Sequence, residues 1–220
     1  MLTPTNQGSD EFYSLLLEHK MFTIRSNHWR ARLQRVQMAK SDKLSDKHCA
    51  FIQQQPLFFV ATAGKDSRVN VSPKGLDSLR IINSNRIIWL NVSGSGNETA
   101  AHLRDINRMT LMFCAFEGDT LILRVYGQAK IIHPRDDKWD ETLALFPKVA
   151  GSRQIFNMTI DLVQTSCGTG VPEMSFVKSR AEDELLPFYE EMGPEGVEKY
   201  WARKNTKSID GHPTGIFENE

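Results

Sequence analysis

Short apolar segments separated by turn-forming residues recur along the middle of the chain. Residues 57–62 and 86–91 are rich in β-branched and aromatic side chains, and residues 68–72 alternate between polar and apolar. Similar segments occupy residues 109–115, 121–126, 128–133 and 155–163. Many short strands with frequent turn signals are typical of a barrel or sandwich, so the sequence predicts a mainly β fold with flanking helices.

Helical patterns lie on both sides of these segments and in two places between them. Helices are predicted within residues 12–38, at 47–55, at 97–106, at 135–146 and from residue 181 onward, with a break at Gly193 and Pro194. We therefore expect an N-terminal helical extension at 1–46, a β domain at 47–170, and a C-terminal helical extension at 171–220 that packs on the β domain.

Charge and cysteine content narrow the function classes. Lys plus Arg and Asp plus Glu both number 27, so the chain lacks the positive excess of a general nucleic-acid binder. Its three cysteines are widely spaced, which favours a reducing compartment over a disulfide framework. No signal-peptide pattern and no bilayer-length apolar run is present. We expect a cytoplasmic protein without a membrane or nucleic-acid partner.

A glycine-rich segment, residues 93–99, lies between a predicted strand and a predicted helix. Glycines let the backbone approach a ligand closely, and the first turn of a helix offers unpaired N–H groups to an anion. Asn97 and Thr99 can add hydrogen bonds, whereas Glu98 either turns away from an anion or caps the helix. The segment indicates a phosphate site, with a surface turn and an N-cap as an equally supported alternative.

Two other segments place cationic side chains on strands. Ser72 and Lys74 flank Pro73 at a strand end, where a hydroxyl and an ammonium group can bind phosphate; taken alone, a hairpin corner with an exposed lysine is favoured. Arg124 lies within an apolar strand and either faces solvent, pairs with an acid or lines a ligand groove.

Two further residues are candidates for chemistry. Cys167 lies in a glycine-rich loop, where a small buried side chain is favoured over a reactive thiolate. His102 follows the glycine-rich segment, and a surface or dimer-packing role is favoured over a substrate contact. The histidines lack metal-ligand spacing, so no metal is predicted.

Three segments in this order, residues 68–75, 94–103 and 124–127, resemble the pyridoxamine 5′-phosphate oxidase-related family of split β-barrels that bind flavin mononucleotide (FMN). The resemblance covers residues 47–168. Residues 165–172 and 208–211 are similar to an uncharacterised bacterial and fungal branch. The segment 97–99 stands where the oxidases have a clamp rich in Arg and Lys, so the resemblance is to that branch and not to the oxidase itself.

The resemblance implies a homodimer that holds FMN between subunits. It implies contacts to FMN from a set of strand-end and helix-start residues, namely Ser72, Lys74, Leu90, Asn91, Asn97, Glu98, Thr99 and Arg124. It further implies an FMN-dependent oxidoreductase acting on an unknown small molecule, with NAD(P)H as a candidate electron donor and no assigned catalytic residue. A non-catalytic flavin- or haem-binding module is the alternative.

Overall fold

A computed structural model describes residues 39–218. Eight strands of this described part form one antiparallel sheet, which confirms the predicted mainly β class. In chain order they are β1 (Lys40–Ser41), β2 (Phe58–Thr62), β3 (Asn70–Lys74), β4 (Leu79–Asn83), β5 (Arg86–Val92), β6 (Met109–Cys114), β7 (Ile122–Ile132) and β8 (Ser152–Ser166). The order across the sheet is β3-β2-β6-β7-β8-β5-β4, and β1 pairs with β8.

Across residues 39–218, four α-helices flank or interrupt the sheet: α1 (Asp46–Gln54), α2 (Glu98–Asp105), α3 (Trp139–Leu143) and α4 (Leu186–Lys204), the last preceded by a π-helical turn at Ala181–Leu185. Gly193, with φ of 67°, interrupts α4 immediately before Pro194, which confirms the predicted break. Within residues 39–218, no helix combines the length and the apolar character needed to span a membrane. The helices predicted within residues 12–38 lie outside the described residues.

Three elements differ from the sequence prediction. Strand β4 was missed because its five residues include Arg80 and Asn83 and adjoin a turn. The helix predicted at 135–146 is restricted to α3, since Asp136 instead closes a turn by accepting from the His133 amide at 2.7 Å. The helical tail ends at α4, because Asn205 leaves the helical conformation, and residues 205–218 form turns and one isolated bridge between Lys207 and Pro213.

Residues 121–126 and 128–133, predicted as two segments interrupted at Gly127, form the single strand β7, which continues through Gly127. The register between β7 and β8 shifts between Tyr126 and Gly127. A Cβ at this position would collide with the carbonyl oxygen of Thr159 on the neighbouring strand. The close backbone approach expected from the sequence is therefore confirmed, and it requires glycine.

The sheet curls around its own core. Phe58 on β2 and Trp89 on β5 have ring centroids 6.4 Å apart, although their strands are four steps apart in the sheet order. Four steps would span about 19 Å in a flat sheet. Apolar side chains from five strands fill the enclosed space, among them Val60, Ile87, Leu111, Leu123 and Met158. The curvature brings edge strand β3 towards β5, and the candidate site lies there.

Candidate functional site

A cavity of about 1030 Å³ lies between β3, the end of β5, the following loop and the C-terminal segment. Seven of the eight predicted cofactor residues line it: Ser72, Lys74, Leu90, Asn91, Asn97, Glu98 and Thr99. The two motifs that sequence analysis treated separately, at 72–74 and 93–99, therefore face the same space.

A hydrogen-bonded chain joins β3 to the start of α2. The hydroxyl of Ser72 donates to Oδ1 of Asn70 at 3.0 Å, and Nδ2 of Asn70 donates to Oγ1 of Thr99 at 3.3 Å. Sequence analysis did not single out Asn70. Its spacing of two from Ser72 was the available signal, because alternate residues of a strand share a face.

Lys74 also lies on β3, but its side chain contacts β5. Its Nζ donates to Oδ1 of Asn91 at 3.4 Å and lies 5.3 Å from the centroid of the Trp89 ring. Burial, with a smaller contribution from the positive charge of Arg153, lowers the pKa of Lys74 to about 8. An anion in the cavity would restore the stability of the charged form, so Lys74 is suited to bind one.

The glycine-rich loop offers several unused donors. Among the residues that the structure describes, the amides of Gly94, Ser95, Gly96 and Asn97 have no hydrogen-bond acceptor. Asn97 precedes α2 without forming a side-chain cap, so the first turn of that helix also retains free N–H groups. These donors, together with the positive end of the α2 dipole, favour a bound anion.

Ser93 does not contribute to this set of free groups. Its hydroxyl donates to the carbonyl of Gly151 at 2.7 Å and accepts from Nε1 of Trp201 at 2.6 Å. Ser93 therefore anchors the start of the loop to the residue that precedes β8 and to α4.

Two deeply buried polar side chains in the cavity wall have unsatisfied atoms. Asn97 is 2% exposed and its Oδ1 has no partner among the described residues; Arg153 is 3% exposed and its Nε likewise has none there. Burial lowers the pKa of Arg153 to about 10. Because unsatisfied buried polar atoms are costly, a free acceptor and a free donor on residues of the same cavity wall favour a ligand that carries both kinds of group.

Arg153 was missed by sequence analysis. It lies on β8 two residues before the strand predicted at 155–163, in a segment to which the sequence analysis assigned no element. Only the pairing of β8 with β5 places it behind the glycine-rich loop.

Glu98 faces the C-terminal segment. Both of its carboxylate oxygens accept from the amide of Ile209, at 3.1 and 3.0 Å. Asp210, which follows Ile209 in the chain, accepts from the amide of Arg68 at 2.8 Å and forms an ion pair with the guanidinium of Arg68. Glu98 thus holds the C-terminal segment, which forms one wall of the cavity, against the start of α2. This role differs from the helix cap considered from the sequence.

The lining is strongly cationic. Glu98 is the one acidic residue among the described lining residues, whereas the basic ones are Arg68, Lys74, Arg153, Arg180, Lys204 and Lys207. This balance, in a chain of zero formal net charge, concentrates positive potential in the cavity.

Arg124 is the predicted residue that the fold does not bring to this cavity. It lies on β7, and its Nη1 donates to Oγ of Ser166 at 3.0 Å. His102 also lies elsewhere: it is buried with Nδ1 3.0 Å from Oγ1 of Thr62, so the favoured surface or dimer-packing role is wrong. Cys167 is half-buried outside the cavity, and a hydrogen bond with Thr169 lowers the pKa of its thiol.

Comparison with known proteins gives a consistent picture. Residues 44–167 match the family model described as pyridoxamine 5′-phosphate oxidase. The chain is 30% identical over 188 residues to the pyridoxamine 5′-phosphate oxidase family protein ustO of Aspergillus flavus, covering 78% of this chain and 76% of that protein.

Two solved structures are similar at lower identity. An inferred pyridoxamine 5′-phosphate oxidase of Lactobacillus delbrueckii is 21% identical with a TM-score of 0.48, over 58% of this chain and 98% of that one. An FMN-binding protein from Syntrophomonas wolfei is 14% identical with a TM-score of 0.39, over 74% of this chain and 99% of that one.

Proposed function

We propose, from the premise that this chain belongs to the pyridoxamine 5′-phosphate oxidase family, that it is a flavoprotein that binds FMN in the cavity and oxidises or reduces a small molecule. The family resemblance predicted from the sequence is confirmed by the match over residues 44–167. FMN binding and the oxidoreductase activity are the proposal.

One observation carries this proposal. Ser72 and Lys74 at the end of an edge strand face the same cavity as the free amides of residues 94–97. A hydroxyl and a row of backbone donors form a suitable phosphate site, and the nearby ammonium group adds positive charge to the same cavity. FMN carries a phosphate at one end of a hydroxyl-bearing chain and a flat ring at the other, which suits a cavity with both polar and apolar walls.

The residues divide into roles along such a molecule. Ser72, Thr99 and the loop amides would bind the phosphate. Asn97 Oδ1 and Arg153 Nε would pair with hydroxyls of the ribityl chain, which can both donate and accept. Leu90 and Asn91 would support the ring, and Lys74 would place a positive charge beside it.

When bound, FMN would supply the redox chemistry by accepting a hydride or single electrons. The chain's own residues would orient it, exclude water from one face and hold positive charge near it.

We also propose the split-barrel homodimer that the family resemblance implies. The curled sheet ends in two edge strands, β3 and β4. Val69 and Val71 at β3 are exposed, and exposed apolar side chains at a sheet edge favour coverage by a second copy. Arg124 remains a predicted FMN contact, which it could make only from the second subunit.

A non-catalytic binding role is the second candidate. The described lining of the cavity has no histidine or cysteine, and its one carboxylate, Glu98, is occupied by the Ile209 amide. A lining without a histidine, a thiol or a free carboxylate suits storage or sensing as well as turnover. The same lining lacks His, Cys, Met and Tyr, the usual axial ligands of haem, so flavin is favoured over haem here.

The test is to purify the chain, record its visible spectrum and add FMN and riboflavin. We expect yellow protein, or FMN binding with quenched flavin fluorescence, and FMN identified by mass after denaturation. Reduction of the bound flavin by NADH or NADPH and reoxidation by oxygen would support the enzyme over the binding module. A colourless protein that also fails to bind added FMN would overturn the proposal.

A further inference from the structure

We propose that Asn205, which lies in the C-terminal segment outside the matched family region, is a positioning residue that directs the amides of the glycine-rich loop into the cavity. The inference rests on the proposed phosphate site. It assigns the segment after α4 a part in ligand binding, in addition to closing the cavity.

Every polar group of Asn205 is used, and the residue is 0% exposed. Its Nδ2 donates to the carbonyl of Gly94 at 2.9 Å, and its Oδ1 accepts from Nη1 of Arg153 at 2.7 Å. Its backbone carbonyl accepts from Nδ2 of Asn97 at 3.3 Å and from Oγ1 of Thr214 at 2.6 Å. One side chain thus contacts the loop directly and holds the arginine behind it.

Arg153 extends this hold to the second glycine. The same Nη1 that donates to Asn205 also donates to the carbonyl of Gly96 at 2.9 Å. The carbonyls of Gly94 and Gly96, alternate residues of the loop, are therefore both fixed on the side where Asn205 and Arg153 lie.

The geometry of the peptide bond then sets the amides. No cis peptide bond occurs among residues 39–218. In a planar trans peptide the C=O of one residue and the N–H of the next point in opposite directions. Fixing the carbonyls of Gly94 and Gly96 therefore directs the N–H groups of Ser95 and Asn97 away from Asn205. Both residues line the cavity, and both amides lack an acceptor in the described part of the chain.

A role confined to ending α4 would not require these contacts. The amide of Asn205 already accomplishes that task by donating to the carbonyl of Trp201 at 2.8 Å. Glycines favour such a loop because they accept many backbone angles, and for the same reason they need an external contact to hold one peptide orientation. Asn205 supplies that contact.

The test compares Asn205→Ala with Thr214→Val, which removes a hydrogen bond to the Asn205 backbone but leaves its side-chain contacts. Dissociation constants are measured for FMN and for riboflavin, which lacks the phosphate. We expect Asn205→Ala to weaken the binding of FMN by about tenfold and that of riboflavin by less than about twofold. A tenfold effect is the size expected when one charge-assisted hydrogen bond to the phosphate is lost. Thr214→Val should leave the ratio of the two constants unchanged. Equal weakening of both ligands, or of neither, would overturn the inference.

A second measurement on the unmodified chain keeps the inference testable if Asn205→Ala does not fold. Inorganic phosphate is titrated into ¹⁵N-labelled protein. We expect the amide resonances of Ser95 and Asn97 to shift together. If these two resonances do not shift, the inference is overturned. Shifts without any flavin binding would refute the proposed function while supporting the loop as an anion site.

Discussion

Lys74 donates to the side-chain oxygen of Asn91 at 3.4 Å, although their strands are five steps apart in the sheet order. The contact spans the gap between the edge strand β3 and the strand β5. It places a half-buried ammonium group against the same cavity as the glycine-rich loop. The charge of Lys74 should therefore affect both the stability of the fold and the affinity of the cavity for an anion.

The pH dependence of stability should report the burial of Lys74. Folding lowers the pKa of Lys74 from 10.5 to about 8, so between these values the unfolded chain binds more protons than the folded one. Stability therefore rises with pH through this window, and below pH 8 the full penalty of the buried charge is present. Urea unfolding at pH 7 and pH 9 should show a rise of about 1 kcal/mol from this group. Lys74→Met should lack this rise, and Lys130→Met, at an exposed site, should retain it.

The same lysine should make FMN binding depend on pH. A bound anion favours the charged ammonium group, so FMN affinity should fall between pH 7 and pH 9 as Lys74 loses its proton. Lys74→Met should bind FMN more weakly at pH 7 and show a flat profile. Flavin fluorescence titrations at each pH measure this, and a parallel pH dependence in the variant would contradict the assignment.

Glu98→Gln should strengthen FMN binding. The amide oxygen of Gln can still accept from the Ile209 amide, but the negative charge beside the loop is removed. We expect affinity to rise about threefold, as for a partly exposed charge. Glu117→Gln is the matched control, because Glu117 also accepts from a backbone amide, that of Phe176, but lies outside the cavity lining. An equal effect of both variants would contradict a local role for the Glu98 charge.

Thr99→Val should remove the side-chain hydrogen bond that joins β3 to the start of α2. The change removes the acceptor of Asn70 Nδ2 without changing the shape of the side chain. We expect FMN to bind about tenfold more weakly, with stability reduced by about 1 kcal/mol. Thr110→Val on β6 makes the same chemical change where no side-chain hydrogen bond is present in the described structure, and should leave FMN affinity unchanged.

Gly127→Ala should destabilise the sheet. Its Cβ would strike the carbonyl of Thr159, and two paired strands would have to separate to admit it. We expect a loss of about 3 kcal/mol, measured as a lower unfolding midpoint in urea. Gly170→Ala, where a Cβ meets nothing within 4 Å, is the control and should be nearly neutral. A stable Gly127→Ala protein would show that the strands are not packed as described.

The sequence by itself determined the strands that consist mostly of apolar residues. Segment 86–91 contains Ile87, Ile88 and Trp89, and segment 109–115 is almost entirely apolar, so their local preference and their buried position agree. The bulge at Gly127 and the break at Gly193 were also predictable, because glycine weakens the interior of a strand or helix and so indicates a bulge, a break or a close backbone approach there. Strand β4 was not predictable, since its Arg80 and Asn83 give it no local signal.

For the candidate site, the sequence by itself determined the residue types that favour phosphate: the glycines and Asn97 before a helix, and Ser72 with Lys74 at a strand end. Only the tertiary structure decided that these segments share one cavity, that Arg153 and Asn205 stand behind the loop, and that Arg124 lies elsewhere. The physical reason is range. Turn and helix-start preferences are set by neighbouring residues. By contrast, Asn205 contacts Arg153 and Gly94, which are 52 and 111 positions away in the chain, and such contacts depend on how the sheet curls and where the C-terminal segment packs.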